Sequence, residues 1–147
     1  MKGIVKIFDN AKGWGFITDE NKNDLFVHWT GILMDGRKSL HEDEIVEFDV
    51  IKNSKGEQAV NVKPLITMKM IRDEAKKMKE EEGFPYYIVK QVKDQNGKQV
   101  KDEYGLNKYV LVNDEGNFDP EEVDMNFCIL ATFLGLSVPP KIAPYIG

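Results

Sequence analysis

The sequence predicts a small closed β-barrel over residues 1 to 66. A small α+β module over residues 67 to 147 follows, in the order helix, β-hairpin, helix. Three observations lead to this class. Five short β-prone segments, separated by turn residues, crowd into the first part, and closure is how so few short strands avoid exposed edges. After Pro64 and Thr67 the apolar spacing changes from strand-like to helical. The 147 residues are 41% hydrophobic and 31% charged, a composition that folds and suits one ordinary domain or two small ones.

The barrel elements follow in order. Residues 4–8 are apolar and β-prone, and residues 9–13 make a turn. Residues 14–18 form the second strand, 19–24 a polar loop and 25–30 the third strand. A long connection spans 31–44. In residues 45–50, Val46, Phe48 and Val50 alternate onto one face. Residues 53–56 read as a hairpin turn, and 58–62 as the fifth strand.

In the second part Met68, Ile71, Ala75 and Met78 fall at helical spacing, with Thr67 as N-cap and Gly83 as stop. Glu80, Glu81 and Glu82 oppose the helix dipole, so fraying is expected there. Residues 84–93 and 106–113 read as strands, Asn96-Gly97 as a hairpin turn, and 99–103 as an extension of either side. Asp119-Pro120-Glu121-Glu122 is a helix start with proline at the first position. That helix should run to about Leu134 and stop at Gly135, and Pro139, Pro140 and Pro144 mark an irregular tail. Residues 125–134 are apolar almost all round, so the last helix needs cover on several sides: the barrel, a second copy or another protein. No internal repeat is evident.

Charge narrows the possible partners. The net charge is −5. Residues 1–66 carry 9 basic and 11 acidic side chains, a net of −2, and residues 67–147 carry 11 and 14, a net of −3. No global basic field draws the chain to nucleic acid or to an anionic membrane, so nucleic-acid binding needs a local surface. One cysteine, Cys128, excludes an internal disulfide framework and fits a reducing, cytoplasmic setting. The most apolar window is too short to span a bilayer, and the N-terminus lacks the apolar run of a signal peptide. Two histidines and one cysteine without ligand spacing give no metal site. No cofactor motif stands out: Gly13-Trp14-Gly15 is followed by a strand, with Thr18 where a dinucleotide loop needs its third glycine. The expectation is a protein that is not an enzyme.

One local surface does stand out. The stretch KGWGFITDENKNDLFVHW, residues 12–29, holds both Trp residues of the chain. On a strand, Lys12, Trp14 and Phe16 share one side, and Gly13, Gly15 and Ile17 the other. Phe26 and His28 share a face while Leu25 and Val27 point inward. Antiparallel pairing through the 19–24 loop joins Trp14, Phe16, Phe26 and His28 in one patch, with Lys6 and Phe8 beside it. Such a patch fits unpaired bases, because every base has a flat π-face.

The stretches GIVKIFDNAKGWGFITDENKNDLFVHWTGI, GRKSL, VEFDV and KGEQAVNV resemble the cold-shock domain of bacterial cold-shock proteins and eukaryotic Y-box proteins. KGWGFI and LFVHW resemble the family's two ribonucleoprotein motifs. The resemblance covers residues 1 to about 65 and implies a five-stranded OB-type barrel that binds single-stranded RNA or DNA with little sequence preference. It implies stacking by Trp14, Phe16, Phe26, His28 and Trp29, with Phe8 beside them. Lys6, Lys12 and Lys55 would meet the backbone, and Asp24 and Gln58 base edges or sugars. Strict alternation would turn Trp29 inward; the resemblance places it on the binding face, which requires a twist or bulge. Ile7 stands where the family usually has Trp, and Arg37 where many members have an aromatic, though an Arg plane can still stack. Asp9 and Glu57 replace a usual Asn and Pro and add negative charge.

Two classes of function follow. One is a single-stranded nucleic-acid binder of RNA-chaperone type, whose residues 67–147 form a homodimer or bind a protein partner. The other is an interaction adaptor that keeps the barrel with weakened nucleic-acid binding.

Overall fold

Five strands close into a barrel in the computed structural model: β1 (Lys2–Asp9), β2 (Trp14–Asp19), β3 (Asp24–His28), β4 (Ile45–Asn53) and β5 (Gly56–Ile66). Their order around the barrel is β1-β2-β3-β5-β4. Every pairing is antiparallel except β3 with β5. The structure describes residues 1–36, 38–86, 88–113, 115–116, 125–139 and 142. The chain splits into two units, Met1–Thr67 and Met68–Gly147.

The barrel core takes Ile17, Leu25, Val27, Val46 and Phe48 from alternate strand positions, and Ala59 and Val62 from either side of a register shift in β5. The long connection adds Ile32 and Leu40, both fully buried. It is pinned to the β1–β2 turn by Asn10, whose Nδ2 donates to the Leu40 carbonyl at 2.9 Å while the Leu40 N–H donates back to Asn10 Oδ1 at 3.2 Å.

Strand β1 breaks its alternation once. Its register against β2 shifts between Val5 and Ile7, a β-bulge. Lys2–Ile4 pair with β4, and Val5 bonds through its N–H and carbonyl to Glu44 and Asp43, where β1 leaves that strand. Lys6 and Ile7 therefore both face solvent, and Phe8 turns inward. Opposite, Gly15 sits against the β1 backbone: a Cβ there would collide with the Ile7 carbonyl oxygen and lie 2.7 Å from the Phe8 Cα.

Strand β5 runs past the expected end at Val62 to Ile66, through Pro64. Its pairing with β3 covers Gln58 and Ala59, and an isolated bridge joins Val62 to Ile32. Beyond Val62 it pairs with β4 alone, so the missing N–H of Pro64 falls on an edge.

In the second unit α1 (Met68–Glu82) buries Ile71 and Ala75. It ends at Gly83, whose φ is 69°. The Gly83 N–H donates to the Lys79 carbonyl and that of Phe84 to Met78, closing the last turn. Strands β6 (Ile88–Gln91) and β7 (Tyr109–Val112) pair antiparallel. The expected single hairpin at Asn96-Gly97 is instead the first of two turns. Residues 91–98 (QVKDQNGK) and 99–106 (QVKDEYGL) are an eight-residue repeat that the sequence reading overlooked. The backbone shows why it matters. Val100 N–H donates to Val92, Lys108 to Val100, and Val92 to Lys108, at 3.0, 2.9 and 2.8 Å, a closed ring of three segments. Gln99 Nε2 also donates to its repeat-mate Gln91 at 2.6 Å.

Helix α2 (Phe127–Phe133) starts later than expected. Met125 is bridged to Tyr109 as extended chain, and Asn126 caps the helix by accepting from Ile129 N–H at 3.0 Å. The expected start at 119–122 lies outside the described residues. Gly135, at φ 85°, stops the helix as expected. Phe127, Cys128, Leu130 and Ala131 are buried within the single chain, with the Tyr109 and Phe127 rings 6.2 Å apart. These four need no outside partner to cover them, whereas Phe133, in the last turn, stays exposed. Among the described residues no helix is long and apolar enough to cross a membrane.

Substituting Gly15→Ala should destabilise the barrel by about 1–3 kcal/mol, the usual cost of overpacking. Urea unfolding followed by tryptophan fluorescence checks this, since both Trp residues lie in the barrel; an unchanged midpoint would contradict the close approach of β1.

Candidate nucleic-acid interface

The strand registers lay out the exposed face row by row. One row runs Ile7–Phe16–Phe26–Gln58–Ile51, across β1, β2, β3, β5 and β4. Beside it Asp9, Trp14 and His28 are in register, and on the other side Thr18 and Asp24. An aromatic centre is thus bordered by aliphatic ends and a polar rim.

The rings form one connected cluster. Trp14 lies 6.1 Å from Phe16, edge-on at 86°, and 6.2 Å from Phe26, tilted by 31°. Phe16 and Phe26 are 6.0 Å apart at 74°. These are ordinary aromatic pair geometries. Trp14 is 40% exposed, and Phe16, Phe26 and His28 are half-buried.

Trp29 joins this surface because β3 ends at His28. The chain then enters a 3-10 turn over Trp29–Gly31, which takes the place of the anticipated twist or bulge. The Trp29 N–H donates to the Gly13 carbonyl at 2.8 Å, and its ring lies against the bare Gly13 Cα, where a Cβ would come within 2.5 Å of Trp29 Cδ1. Trp29 is 47% exposed and 5.7 Å from the His28 ring. His28 Nδ1 accepts from the Thr30 N–H at 3.3 Å. The same nitrogen lies 2.8 Å from Thr30 Oγ1, so the 3-10 turn holds the ring by one edge.

The polar residues are less free than the sequence suggests. Lys6 Nζ donates to Asp24 Oδ2 at 2.6 Å, and Thr18 Oγ1 to Asp24 Oδ1 at 2.9 Å. The expected backbone contact and the expected base-edge contact are therefore bonded to each other. Lys52 lies 3.9 Å from Glu57. Gln58 Oε1 accepts from Asn53 Nδ2 at 3.0 Å. Lys55 is exposed in the β4–β5 hairpin. Lys12 is exposed in the turn before β2, since that strand begins at Trp14.

One expectation changes. Phe8, expected beside the patch, belongs to the barrel core at 8% exposure, because the β1 bulge reverses the alternation. The same bulge brings out Ile7, 51% exposed and in register with Phe16. Arg37 lies outside the described residues. Lys38 was missed by the sequence reading: a groove of about 340 Å³ beside Trp29 is lined by Lys38, Lys12, Gly13, Asn10, Ala11 and Gly36. Its neighbour Arg37 was the available signal, as the pair forms a basic step in GRKSL. Among the described residues no cluster of His, Cys, Asp or Glu could hold a metal ion.

The hydrogen bond from Lys6 lowers the Asp24 carboxyl below its ordinary value of 3.8; partial burial opposes this, and the Thr18 hydroxyl and the Lys6 charge reinforce it. The resulting stabilisation is present above pH 3.8 and is lost as pH falls through the depressed folded value. A carboxyl NMR titration should place the Asp24 midpoint below 3.8, and Lys6→Gln should raise it. An unmoved midpoint in that variant would show that the pair does not set the shift.

The comparisons with known proteins fall on this barrel. A family model described as the 'Cold-shock' DNA-binding domain matches residues 1–65. The cold shock-like protein of Thermotoga maritima is 51% identical over 63 residues, 43% of this chain and 96% of that protein. Cold shock protein CspA of Staphylococcus aureus is 51% identical over 61 residues, 42% of this chain and 92% of that protein. Cold shock-like protein CspC of Bacillus cereus is 50% identical over 62 residues, 42% and 95%. Among solved structures, drosophila Unr CSD456 aligns at a TM-score of 0.38 and 20% identity, over 78% of this chain and 43% of that one. With half of the matched residues identical and nearly the whole length of these small relatives spanned, the chain belongs to the cold-shock domain family through its N-terminal barrel.

Proposed function

We propose that the barrel binds single-stranded RNA or DNA with little sequence preference, as an RNA chaperone does, by stacking unpaired bases on Trp14, Phe16, Phe26, His28 and Trp29. The observation that carries this reading is the connected ring cluster on neighbouring strands, with the two largest rings 40% and 47% exposed. Core packing does not require them there: Ile17, Leu25 and Val27 fill the opposite side of the same strands. Contiguous exposed apolar surface of this kind marks an interaction site, and flat rings fit bases of any sequence.

The cations have a supporting role. Lys12, Lys55 and Lys38 are placed to meet phosphates, and Lys6 must first leave Asp24. Gln58 lies in register beside Phe26 and suits base edges or sugars; Asp24 takes a similar role once Lys6 departs. Arg37 enters this reading from the family resemblance alone. With few free cations, the salt dependence is shallow, at about −0.7 per phosphate neutralised on a single strand. Ile7 cannot stack, so the aromatic path ends at Phe16.

For residues 67–147 a role in self-association or partner binding is a second reading. It is favoured by Phe133, 44% exposed and 5.9 Å from Phe84, with Tyr86 6.1 Å from Phe84. Light scattering of the whole chain should then show a concentration-dependent dimer, or a pull-down a specific partner lost with Phe133→Ala. A monomer without such a partner would remove this role.

Titration with oligo-dT and oligo-U should quench Trp14 and Trp29 fluorescence in the micromolar range. Phe16→Ala and Phe26→Ala should each weaken binding by about 1–3 kcal/mol, roughly fivefold to 150-fold. Ile7→Trp should tighten it, by adding a platform next to Phe16. Absence of quenching at low salt would favour the adaptor reading instead.

A further inference from the structure

We infer that α1 carries a second, electrostatic surface for the phosphate backbone of a long single strand, on the arc formed by Lys69, Arg72, Lys76 and Lys79. This rests on the proposed single-strand binding by the barrel and extends it.

The helix holds five basic and five acidic side chains, so composition alone would make it neutral. The charges are sorted instead. Steps of three, four and three residues place the four cations within an arc of about 80° and along about 15 Å of the axis. Asp73, Glu74, Glu80, Glu81 and Glu82 fall outside that arc. Lys69, Arg72 and Lys76 are exposed, and the apolar side, Ile71 and Ala75, is buried.

Sorting of this kind works against the helix itself. Lys69 with Arg72, Arg72 with Lys76, and Lys76 with Lys79 are like-charge neighbours at three or four residues, which destabilises an isolated helix. One compensating pair on the arc is Lys69 Nζ with Asp73 Oδ2 at 3.0 Å, in the open at 87% and 65% side-chain exposure. Such an exposed pair contributes little and yields readily to another anion. A row of cations along a helix is complementary to a polyanion rather than to a compact ligand.

The barrel has a corresponding shortage. Its net charge is −2, and Lys6 and Lys52 already face carboxylates. Strand β5 ends at Ile66 and α1 starts at Met68, so one residue, Thr67, joins the stacking domain to the cationic helix. Covalent linkage makes a second contact intramolecular once the first has formed, and the long probe below measures whether one strand reaches both.

The test uses the whole chain and two oligo-dT probes, of about six and about twenty nucleotides, which bracket the span of one OB fold. Trp14 and Trp29 report barrel occupancy in both cases. For the double variant Arg72→Gln/Lys76→Gln, the long probe should bind severalfold more weakly at low salt, with a salt slope shallower by about 1.4, two phosphates' worth. The short probe should bind as before, and Lys77→Gln, off the arc, should change neither. A long-probe slope equal to wild type overturns the inference, as does an equal loss for both probes, which would signify a general change in field. If the wild type quenches with neither probe, the stacking reading itself fails, and the inference falls with it.

Discussion

A one-residue bulge in β1 governs what the barrel shows to solvent. Without it, β1 would alternate regularly from Val5, with Ile7 inward and Phe8 outward. The register shift between Val5 and Ile7 turns Phe8 into the core and Ile7 onto the face beside Phe16. The bulge in turn depends on close contact between β1 and β2, which Gly15 allows because any Cβ would meet the Ile7 carbonyl. A glycine that weakens an isolated strand therefore sets which β1 residue borders the aromatic face. Bulges at barrel rims commonly re-aim side chains in this way. Here the re-aimed residue is aliphatic, so the same device that builds the face also limits it.

The electrostatics follow from that limit. Lys6 stands exposed at the bulge and bonds to Asp24, so charge at that edge is locally neutralised. Lys52 and Glu57 do the same on the opposite strands, more weakly at 3.9 Å. Exposed pairs of this sort contribute about 0–1 kcal/mol, so they do not hold the barrel together. Their consequence lies in what remains for a ligand: ring surface in quantity and unpaired charge in short supply. On the proposed reading a single strand is bound there by stacking and desolvation, with phosphate contacts added at Lys12, Lys38 and Lys55.

Most of the barrel was legible because its signals are local and redundant. Alternation placed Ile17, Leu25, Val27 and Phe48 inside, and turn residues marked the ends of the strands. What escaped was the bulge, since an extra residue in one strand leaves no mark on that strand's own pattern. Trp29 needed the family resemblance, because its orientation comes from a 3-10 turn that starts where the strand pairing stops. Lys38 comes to Trp29 through the folding of the long connection, which no periodicity encodes. In the second unit the helix over 68–82 was plain from spacing and its glycine stop. The meander was misread because two similar turns eight residues apart looked like one hairpin with loose flanks.

Those turns also show what several of the chain's aspartates do. Asp94 Oδ1 accepts from Asn96 and Lys98 N–H, and Asp102 Oδ1 accepts from Tyr104 and Leu106 N–H. Asp19 does the same with Asn21 and Asn23 between β2 and β3. Each is an Asx-type turn in which the side chain stands in for a backbone carbonyl. The fourth position takes a positive φ, filled by Gly97, Gly105 or, more strained, Lys22. Asp9 accepts from Ala11 and Lys12 N–H in the turn before β2, so the acid beside Trp14 shapes the loop that presents the ring. Asp102 extends the device further, its Oδ2 accepting from the Asn126 amide that caps α2. Aspartates committed to backbone N–H groups are poor general bases and poor ligands. The carboxylates of Asp9, Asp19, Asp94 and Asp102 act by holding turns, and the first two of those turns border the strands that carry the rings.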